Sequence, residues 1–204
     1  MEWRLLAGVS PQDVEVLLAA TERRTFRRGQ VVFHEDDEAD ALHLVEAGRF
    51  GVRAGPMLVS VAAPGDAFGE LALVGGGRRG ATVQALSDGA TLALARPAFA
   101  ALRRQRPAVD AALAAILAWR IRRLTDQLVE ARVADADVRV RRRLVDLARA
   151  FGGAIPLTQE EIANAAGTSR ATVNRVLREE EAKGTVTLGR GRTTVLDAAA
   201  LSVH

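Results

Sequence analysis

The sequence predicts an α+β chain in three parts: an antiparallel β sandwich or barrel, one long helix, and a compact helical module carrying a β-hairpin. Three observations carry this. Between Thr25 and about Ala95, short apolar runs alternate with glycine turns. From Pro107 the apolar spacing becomes helical. Beyond residue 138 the charge turns basic: residues 138–204 hold 11 basic and 7 acidic side chains, against 17 and 18 in residues 1–137.

The elements follow in order. Residues 11–20 read as a short helix, with Ser10 as cap and Pro11 at the first helical position. The apolar runs Gln30-Val31-Val32-Phe33, Ala41-Leu42-His43-Leu44-Val45, Met57-Leu58-Val59-Ser60-Val61, Ala81-Thr82-Val83-Gln84-Ala85 and Thr91-Leu92-Ala93-Leu94 read as strands. Gly29, Gly48, Gly55-Pro56, Pro64-Gly65-Asp66 and Asp88-Gly89 punctuate them. Many short strands with glycine turns indicate a sandwich or barrel.

Leu113, Leu117, Ile121, Leu124, Leu128 and Ala131 are spaced by 4, 4, 3, 4 and 3. From Leu117 this is the a/d alternation of a coiled-coil seam, on a helix starting at Pro107. The stripe packs on the chain's own sheet or forms the seam of a parallel or antiparallel homodimer; spacing leaves both open. Residues 134–137 read as a hinge, with Asp135 or Asp137 capping the next helix. That helix, over 139–151, is basic and amphipathic, with Val140, Leu144, Leu147 and Ala148 on one side. Gly152-Gly153 ends it.

Composition narrows the chemistry. The 204 residues carry a formal charge of +3, are 49% hydrophobic and include no cysteine. Disulfides, thiolate zinc sites and iron–sulfur clusters are excluded. Three histidines, His34, His43 and His204, give little material for a metal or catalytic centre. No apolar stretch approaches the roughly 20 residues of a membrane span. Residues 1–9 carry Glu2 and Arg4 and lack a signal-peptide core, so the chain reads as cytoplasmic, with no membrane partner.

Residues 159–178 read QEEIANAAGTSRATVNRVLR. Thr158 and Glu161 form a capping box for a first helix. Gly167 stands where the chain must turn with positive φ. A second helix runs from about Ser169 to Lys183, and Ile162, Ala166, Val173, Val176 and Leu177 supply a shared core. A small residue at 163, glycine four residues on and a β-branched residue six later is helix-turn-helix spacing. Thr185-Val186-Thr187-Leu188 and Thr193-Thr194-Val195-Leu196 flank Gly189-Arg190-Gly191-Arg192, a two-stranded wing with a basic tip. Such a module binds duplex DNA in the major groove. Thr168, Ser169, Arg170, Ala171 and Thr172 face the bases, with Asn174 and Arg175 one turn on, and Thr158 sits at the start of the first helix. Arg170 and Arg175 suit bidentate reading of guanine O6 and N7. Ser169, Thr172, Arg178, Arg190 and Arg192 suit phosphate.

The order of parts resembles the CRP/FNR family of bacterial transcription regulators over almost the whole chain. Phe68-Gly69-Glu70-Leu71-Ala72-Leu73, Arg79-Gly80-Ala81-Thr82 and the helix-turn-helix carry the resemblance most specifically. It implies a cyclic-nucleotide-binding-like jelly roll over 1–106, a dimerisation helix over 107–134 and a winged helix-turn-helix over 135–204. It also implies cAMP as allosteric effector, with no metal, haem or iron–sulfur cluster, and an inverted-repeat operator bound by a homodimer. Gly69, Glu70, Leu71, Arg79, Gly80 and Ala81 would form the phosphate and ribose cassette, and Leu124 and Thr125 would face adenine. Gly69 and the loop Gly75-Gly76-Gly77 let backbone amides approach a ligand. Arg79 supplies a fixed fork for the phosphate, and Glu70 an acceptor for ribose.

The chain departs from the family pattern in places. Gly80 stands where cAMP binders usually carry serine or threonine, and Leu124 where they carry threonine. Either Arg78 or Arg79 points inward. Ala171 replaces a usual glutamate, which changes the base preferred beside the guanine. RNA polymerase is an implied partner, yet residues 151–157 are shorter than the loop by which many relatives contact it. Alternatives are a ligand-independent or other-effector regulator whose Glu70–Arg79 pair is a plain salt bridge, and a signalling module whose helix-turn-helix serves protein contact.

The run His34-Glu35-Asp36-Asp37-Glu38, with Asp40 and His43, reads as a solvated, unpaired acidic turn rather than a metal site. Trp3 and Trp119 read as packing residues, Trp119 beside the seam. Arg103, Arg104 and Arg106 read as a solvated face. No Ser–His–Asp arrangement or paired carboxylates appear, so the chain is not expected to be an enzyme.

Overall fold

The computed structural model describes residues 3–6, 8–74 and 77–202. Glu2, His204, Gly75 and Gly76, on which some of the sequence expectations fall, lie outside the described residues. The chain divides into two compact units: residues 1–55 with 62–124, and residues 56–61 with 125–204.

The first unit opens with α1 (Pro11–Ala19), whose Asp13 amide donates to the Ser10 hydroxyl as the cap reading expects. Along the chain eight strands follow, β5 falling almost wholly among the residues grouped with the second unit: β1 (Thr21–Phe26), β2 (Val31–Phe33), β3 (Ala41–Ala47), β4 (Phe50–Ala54), β5 (Met57–Ala62), β6 (Ala67–Phe68), β7 (Thr82–Ala85) and β8 (Gly89–Ala95). Helix α2 (Glu70–Val74) interrupts them after β6. They form two four-stranded sheets of order β1-β8-β3-β6 and β2-β7-β4-β5. Then come α3 (Arg96–Gln105) and α4 (Pro107–Val133).

Strand β3 is buried from Ala41 through Val45. Leu42 and Leu44 join a core with Trp3, Leu17, Leu94, Phe99, Leu102, Val109 and Leu113. Val45 joins Phe50, Phe68, Val83 and Ala85 in a second core between the sheets. Covered on both sides, β3 is a continuous apolar run rather than an alternating one. Strand β1, Thr-Glu-Arg-Arg-Thr-Phe, escapes sequence reading because its charges mask any apolar period, yet it pairs with β8 along its whole length.

The α4 stripe divides. Leu113 is buried in the core of its own unit, and Leu117 packs partly against it. Ile121, Leu124, Leu128, Val129 and Val133 are exposed, Leu124 at 54%. Packing on the chain's own roll therefore accounts for the first turns alone. Trp3 is buried, its indole N–H donating to the Val45 carbonyl. Trp119 is exposed beneath the Arg4 and Arg123 guanidinium groups. Arg103 pairs with Asp110 and Arg106 with Asp13, so that face is ion-paired rather than merely solvated.

The second unit contains α5 (Ala136–Phe151), β9 (Ala154–Ile155), α6 (Gln159–Ala166), α7 (Arg170–Ala182), β10 (Val186–Gly189), β11 (Arg192–Val195) and α8 (Ala198–Leu201). Asp135 occupies the N-cap of α5, but its side chain makes no cap bond. Gly152 ends α5 in the left-handed conformation. The expected two-stranded wing is a three-stranded sheet of order β10-β11-β9, because Ala154 and Ile155 pair with Thr194 and Thr193. Two residues are too few to show a strand period in sequence.

Candidate functional site

The cassette is built where β6 turns into α2. Gly69 sits at φ +85°, and Glu70 begins the helix. Across from it, Arg78 and Arg79 run beside the acidic turn: Arg79 N donates to Asp37 O at 2.9 Å and Asp36 N to Arg79 O at 2.8 Å. This backbone pairing decides which arginine turns inward. Arg79 is 1% exposed, while Arg78 is exposed and donates to the Asp36 carbonyl at 2.7 Å.

The Arg79 guanidinium lies 3.9 Å from the centroid of the Phe33 ring. Its Nη1 donates to Gly69 O at 3.0 Å, and its Nη2 to Ala41 O at 2.8 Å and Asp40 Oδ1 at 2.6 Å. Its Nε is buried without a hydrogen-bond partner among the described residues. Glu70, fully buried, accepts from Arg120 Nη1 on α4, while Arg120 Nη2 holds Ala67 O at 2.9 Å. The other Glu70 oxygen, Oε2, has no hydrogen-bond partner among the described residues. Burial pushes the Glu70 carboxyl above its usual range and outweighs the charge of Arg120.

Glu70 and Arg79 are thus each engaged elsewhere, rather than simply with each other. The acidic turn is corrected too. Asp40 is not unpaired: it bridges Arg79 and, at 3.2 Å, Arg24. Partial burial pushes its carboxyl up, but hydrogen bonds from Arg24 and Arg79 hold it below the usual range. His34 is exposed on the turn. His43 is buried on β3, bonded to Thr91 Oγ1 at 3.0 Å and stacked on Phe68. Burial, helped by the charges of Arg79 and Arg24, drives its pKa down to about 3.

The remaining cassette positions are more open. Gly80 has nothing within 4 Å of a Cβ, and Leu71 is exposed on α2. Leu124 and Thr125 are exposed on α4. The site combines a buried donor and a buried acceptor, each unsatisfied among the described residues, which costs about 1–3 kcal/mol apiece. Those two atoms suit a ligand carrying both an anion and a hydroxyl.

The second candidate site is the face shared by α6, α7 and the wing. Thr158 accepts from the Glu161 amide at 3.2 Å, and the Glu161 carboxylate accepts from the Thr158 amide at 2.8 Å, completing the capping box. Gly167 closes α6 at φ +61°. Ile162, Ala166, Val173, Val176 and Leu177 are all buried, as the spacing requires. Ser169 caps α7, accepting from the Thr172 amide at 3.2 Å. A cleft of about 560 Å³ opens here, lined in part by Thr158, Gln159, Arg170, Asn174, Leu188 and Arg192. Thr168 lies in the turn, its amide bonded to Ala163 O at 3.1 Å. Ala171, Arg190 and Arg192 are exposed.

Sequence reasoning missed the partners that hold both sites. Asp137, expected as a cap, pairs with Arg175. Arg139 donates to Ala134 O, Ala166 O and Gly167 O at 2.8, 3.2 and 3.1 Å, tying the end of α6 to residues 134–139. Arg141 and Glu180 pair in the core at 2.8 Å. All but the Arg139–Ala134 contact join residues at least 27 apart in sequence, and no motif announces them. An acidic residue four before or after a surface arginine is visible in a sequence; one 38 residues away is not.

Residues 23–106 match the cyclic nucleotide-binding domain family, and residues 138–203 the Crp-like helix-turn-helix domain family. The chain is 36% identical over 203 residues to the cyclic AMP receptor protein of Thermus thermophilus, covering 97% of this chain and 94% of that one. The chain belongs to the CRP/FNR family of transcription regulators. A CRP-like cAMP-activated global transcriptional regulator of Mycobacterium tuberculosis is 30% identical over 211 residues, covering 97% of this chain and 94% of that one. Among solved structures, the Thermus thermophilus catabolite activator protein is 35% identical with a TM-score of 0.58, covering 97% of this chain and 96% of that one. The CRP/FNR fold thus assigns the roll to cyclic nucleotide-binding architecture and the second unit to a DNA-binding helix-turn-helix. Among the described residues no helix is long and apolar enough to cross a membrane, and no three His, Asp or Glu are grouped to hold a metal.

Proposed function

We propose that this CRP/FNR-family chain is a cytoplasmic, homodimeric, sequence-specific DNA-binding regulator gated by cAMP in its β-roll. The observation that carries the gating is the Arg120–Glu70 bond: the carboxylate offered to a ribose hydroxyl also holds the long helix. Glu70 Oε2 would accept from the ribose, and Arg79 would face the cyclic phosphate with Gly69, Leu71, Gly80 and the Ala81 amide around it. Leu124 and Thr125 would close on the base. The exposed Ile121, Leu124 and Leu128 stripe suits a seam with a second copy. The working parts would be 1–106, 107–134 and 135–204.

Two copies would present two α7 helices to half-sites about 34 Å apart. Arg170 would read guanine with Arg175 one turn on. Ala171 and Asn174 would meet neighbouring bases. Thr158, Thr168, Ser169, Thr172, Arg178, Arg190 and Arg192 would meet the backbone. RNA polymerase is the further partner of such a regulator. Effector binding shifts the DNA equilibrium only through different affinities for two states.

A second reading, a regulator independent of cAMP, is favoured by one feature. Both Arg79 terminal nitrogens already have partners, and Gly80 offers no hydroxyl. Calorimetry with cAMP on the full chain and on Arg79→Ala, followed by DNA titration over a salt series, separates the two. Micromolar cAMP binding lost in Arg79→Ala, with DNA affinity raised by cAMP and falling steeply with salt, supports the leading reading. Absence of heat, with salt-dependent DNA binding intact, supports the second.

A further inference from the structure

Helices α6 and α7 are joined across the cleft by two side-chain amides. Gln159 is the first residue of α6, and the Thr158–Glu161 capping box beside it fixes its place. Asn174 lies on α7 among the buried Val173, Val176 and Leu177, but is itself exposed. Its Nδ2 donates to Gln159 Oε1 at 3.0 Å, across 15 residues of sequence. Both side chains line the cleft with Arg170 and Arg192. Asn174 follows Arg170 by four residues, so the two share one helix face, about 6 Å apart along the axis.

A carboxamide has two N–H donors and one carbonyl acceptor. In the major groove adenine offers the complementary pair: N6 donates and N7 accepts. Guanine offers two acceptors, O6 and N7, so the oxygen of a fixed amide meets a lone pair there. An amide free to turn about its last bond loses that distinction, because it can aim an N–H at either guanine acceptor. Bidentate reading uses Oδ1 and the N–H on the Oδ1 side. The other N–H is spare, and a partner that takes it fixes the amide while leaving the reading edge open. Gln159 supplies an acceptor for one Asn174 N–H. A neutral hydrogen bond biases such an amide roughly two- to tenfold toward one orientation.

We propose that Asn174 reads an adenine in each half-site and that Gln159 is the positioning residue that orients its amide for that base. This rests on the reading of α7 as the DNA-reading helix. Gln159 holds the spare N–H, and Asn174 turns Oδ1 and its second N–H to adenine N6 and N7. The adenine stands within about two base pairs of the guanine read by Arg170, since the two side chains are one helical turn apart. An uncharged side chain releases no counterions, so this base preference holds at salt concentrations that weaken the phosphate contacts.

The test uses the full chain, with and without cAMP, and a duplex DNA library carrying a randomised central segment. Wild type and each variant select duplexes, and affinities for the selected site and its single-base changes are read by fluorescence anisotropy. Wild type is expected to prefer adenine over guanine at one position per half-site by about tenfold. Asn174→Ala abolishes that preference. Gln159→Met, which keeps the length but has no carbonyl acceptor, cuts it to about threefold or less at the same position. Gln159→Ala, too short to reach Asn174, gives the same result by a second route. Gln159→Glu keeps an acceptor: its charge weakens all sequences alike, and the adenine-to-guanine ratio stays as in wild type. The double variant Gln159→Met with Asn174→Ala matches Asn174→Ala alone. An unchanged ratio in Gln159→Met, whether or not affinity falls, makes Gln159 a backbone contact or a structural support and overturns the proposal. A preference that survives Asn174→Ala, or a Gln159 effect at a different base pair, overturns it as well. If wild type enriches no sequence, the DNA reading of α7 fails and takes this inference with it.

Discussion

A Cβ on Gly69 would lie 2.6 Å from Nη1 of Arg79 and 3.3 Å from the Ala41 carbonyl. The missing side chain at 69 is what admits the buried guanidinium at 79. Gly69 also stands at φ +85°, where an L side chain is strained. Gly69→Ala is expected to destabilise the roll by about 1–3 kcal/mol in urea denaturation. Gly77→Ala, with nothing within 4 Å, is the control and should be close to neutral. Equal midpoints for the two variants would show that Arg79 can leave its niche freely.

Gly80 is the opposite case. Nothing lies within 4 Å of a Cβ there, and its φ is not in the left-handed region. Gly80→Ser is therefore expected to fold like wild type and to place a hydroxyl donor beside the cassette. A neutral hydrogen bond is worth about 0.5–1.5 kcal/mol, so cAMP affinity should rise roughly 2- to 10-fold by calorimetry. Unchanged affinity would place the phosphate away from residue 80.

Acid should weaken the first unit through His43. Its folded pKa is about 3 against an ordinary 6.5, so below pH 6.5 the unfolded chain takes up a proton that the folded chain refuses. The stability from neutral His43 is complete above pH 6.5 and falls as pH drops toward 3, by up to about 1.4 kcal/mol per unit. Glu70, with a raised pKa, works in the opposite sense: its contribution is complete below its unfolded pKa and is lost as pH rises. His43→Phe keeps an aromatic ring beside Phe68 and removes the titration. Denaturant unfolding at several pH values should show a flatter stability profile for the variant between pH 6.5 and 5. Parallel profiles would mean that His43 charges without loss.

In the second unit, Glu180 accepts from Arg141 at 2.8 Å, Lys183 at 2.9 Å and Thr185 Oγ1 at 2.8 Å. Burial pushes its carboxyl up, but those hydrogen bonds hold it down to about 2. Glu180→Ala leaves the buried Arg141 charge with the longer, half-exposed Glu179 contact at 3.5 Å and should cost about 3 kcal/mol. Replacing both partners by apolar residues, Arg141→Met with Glu180→Leu, should recover most of that loss. Thermal unfolding of the single and double variants checks both. A double variant as unstable as the single would mean the network contributes more than the isolated pair.

Much of the helix-turn-helix was legible because its determinants are local. The Thr158–Glu161 box, Gly167 and the buried Ile162, Val173 and Val176 all act within a few residues of one another, and helical periodicity carries them. Gly69, Glu70 and Arg79 were legible as a cassette motif. Strand β1 was not, because a charged strand is defined by its partner β8. Strand β9 was too short to have a period.

The sequence by itself determined the order of parts, the long helix, the helix-turn-helix and the residue types at both candidate sites. Local propensity, capping and apolar spacing act along the chain and need no partner. Only the tertiary structure decided which charges meet. It turned Arg79 rather than Arg78 inward, set Asp40 against it, placed Arg120 on Glu70 and brought Asp137 to Arg175. It also divided the α4 stripe between the roll core at Leu113 and solvent at Leu124. The reason is physical: an ion pair depends on a separation of a few ångströms across the fold, and the sequence distance between two charges does not encode that separation.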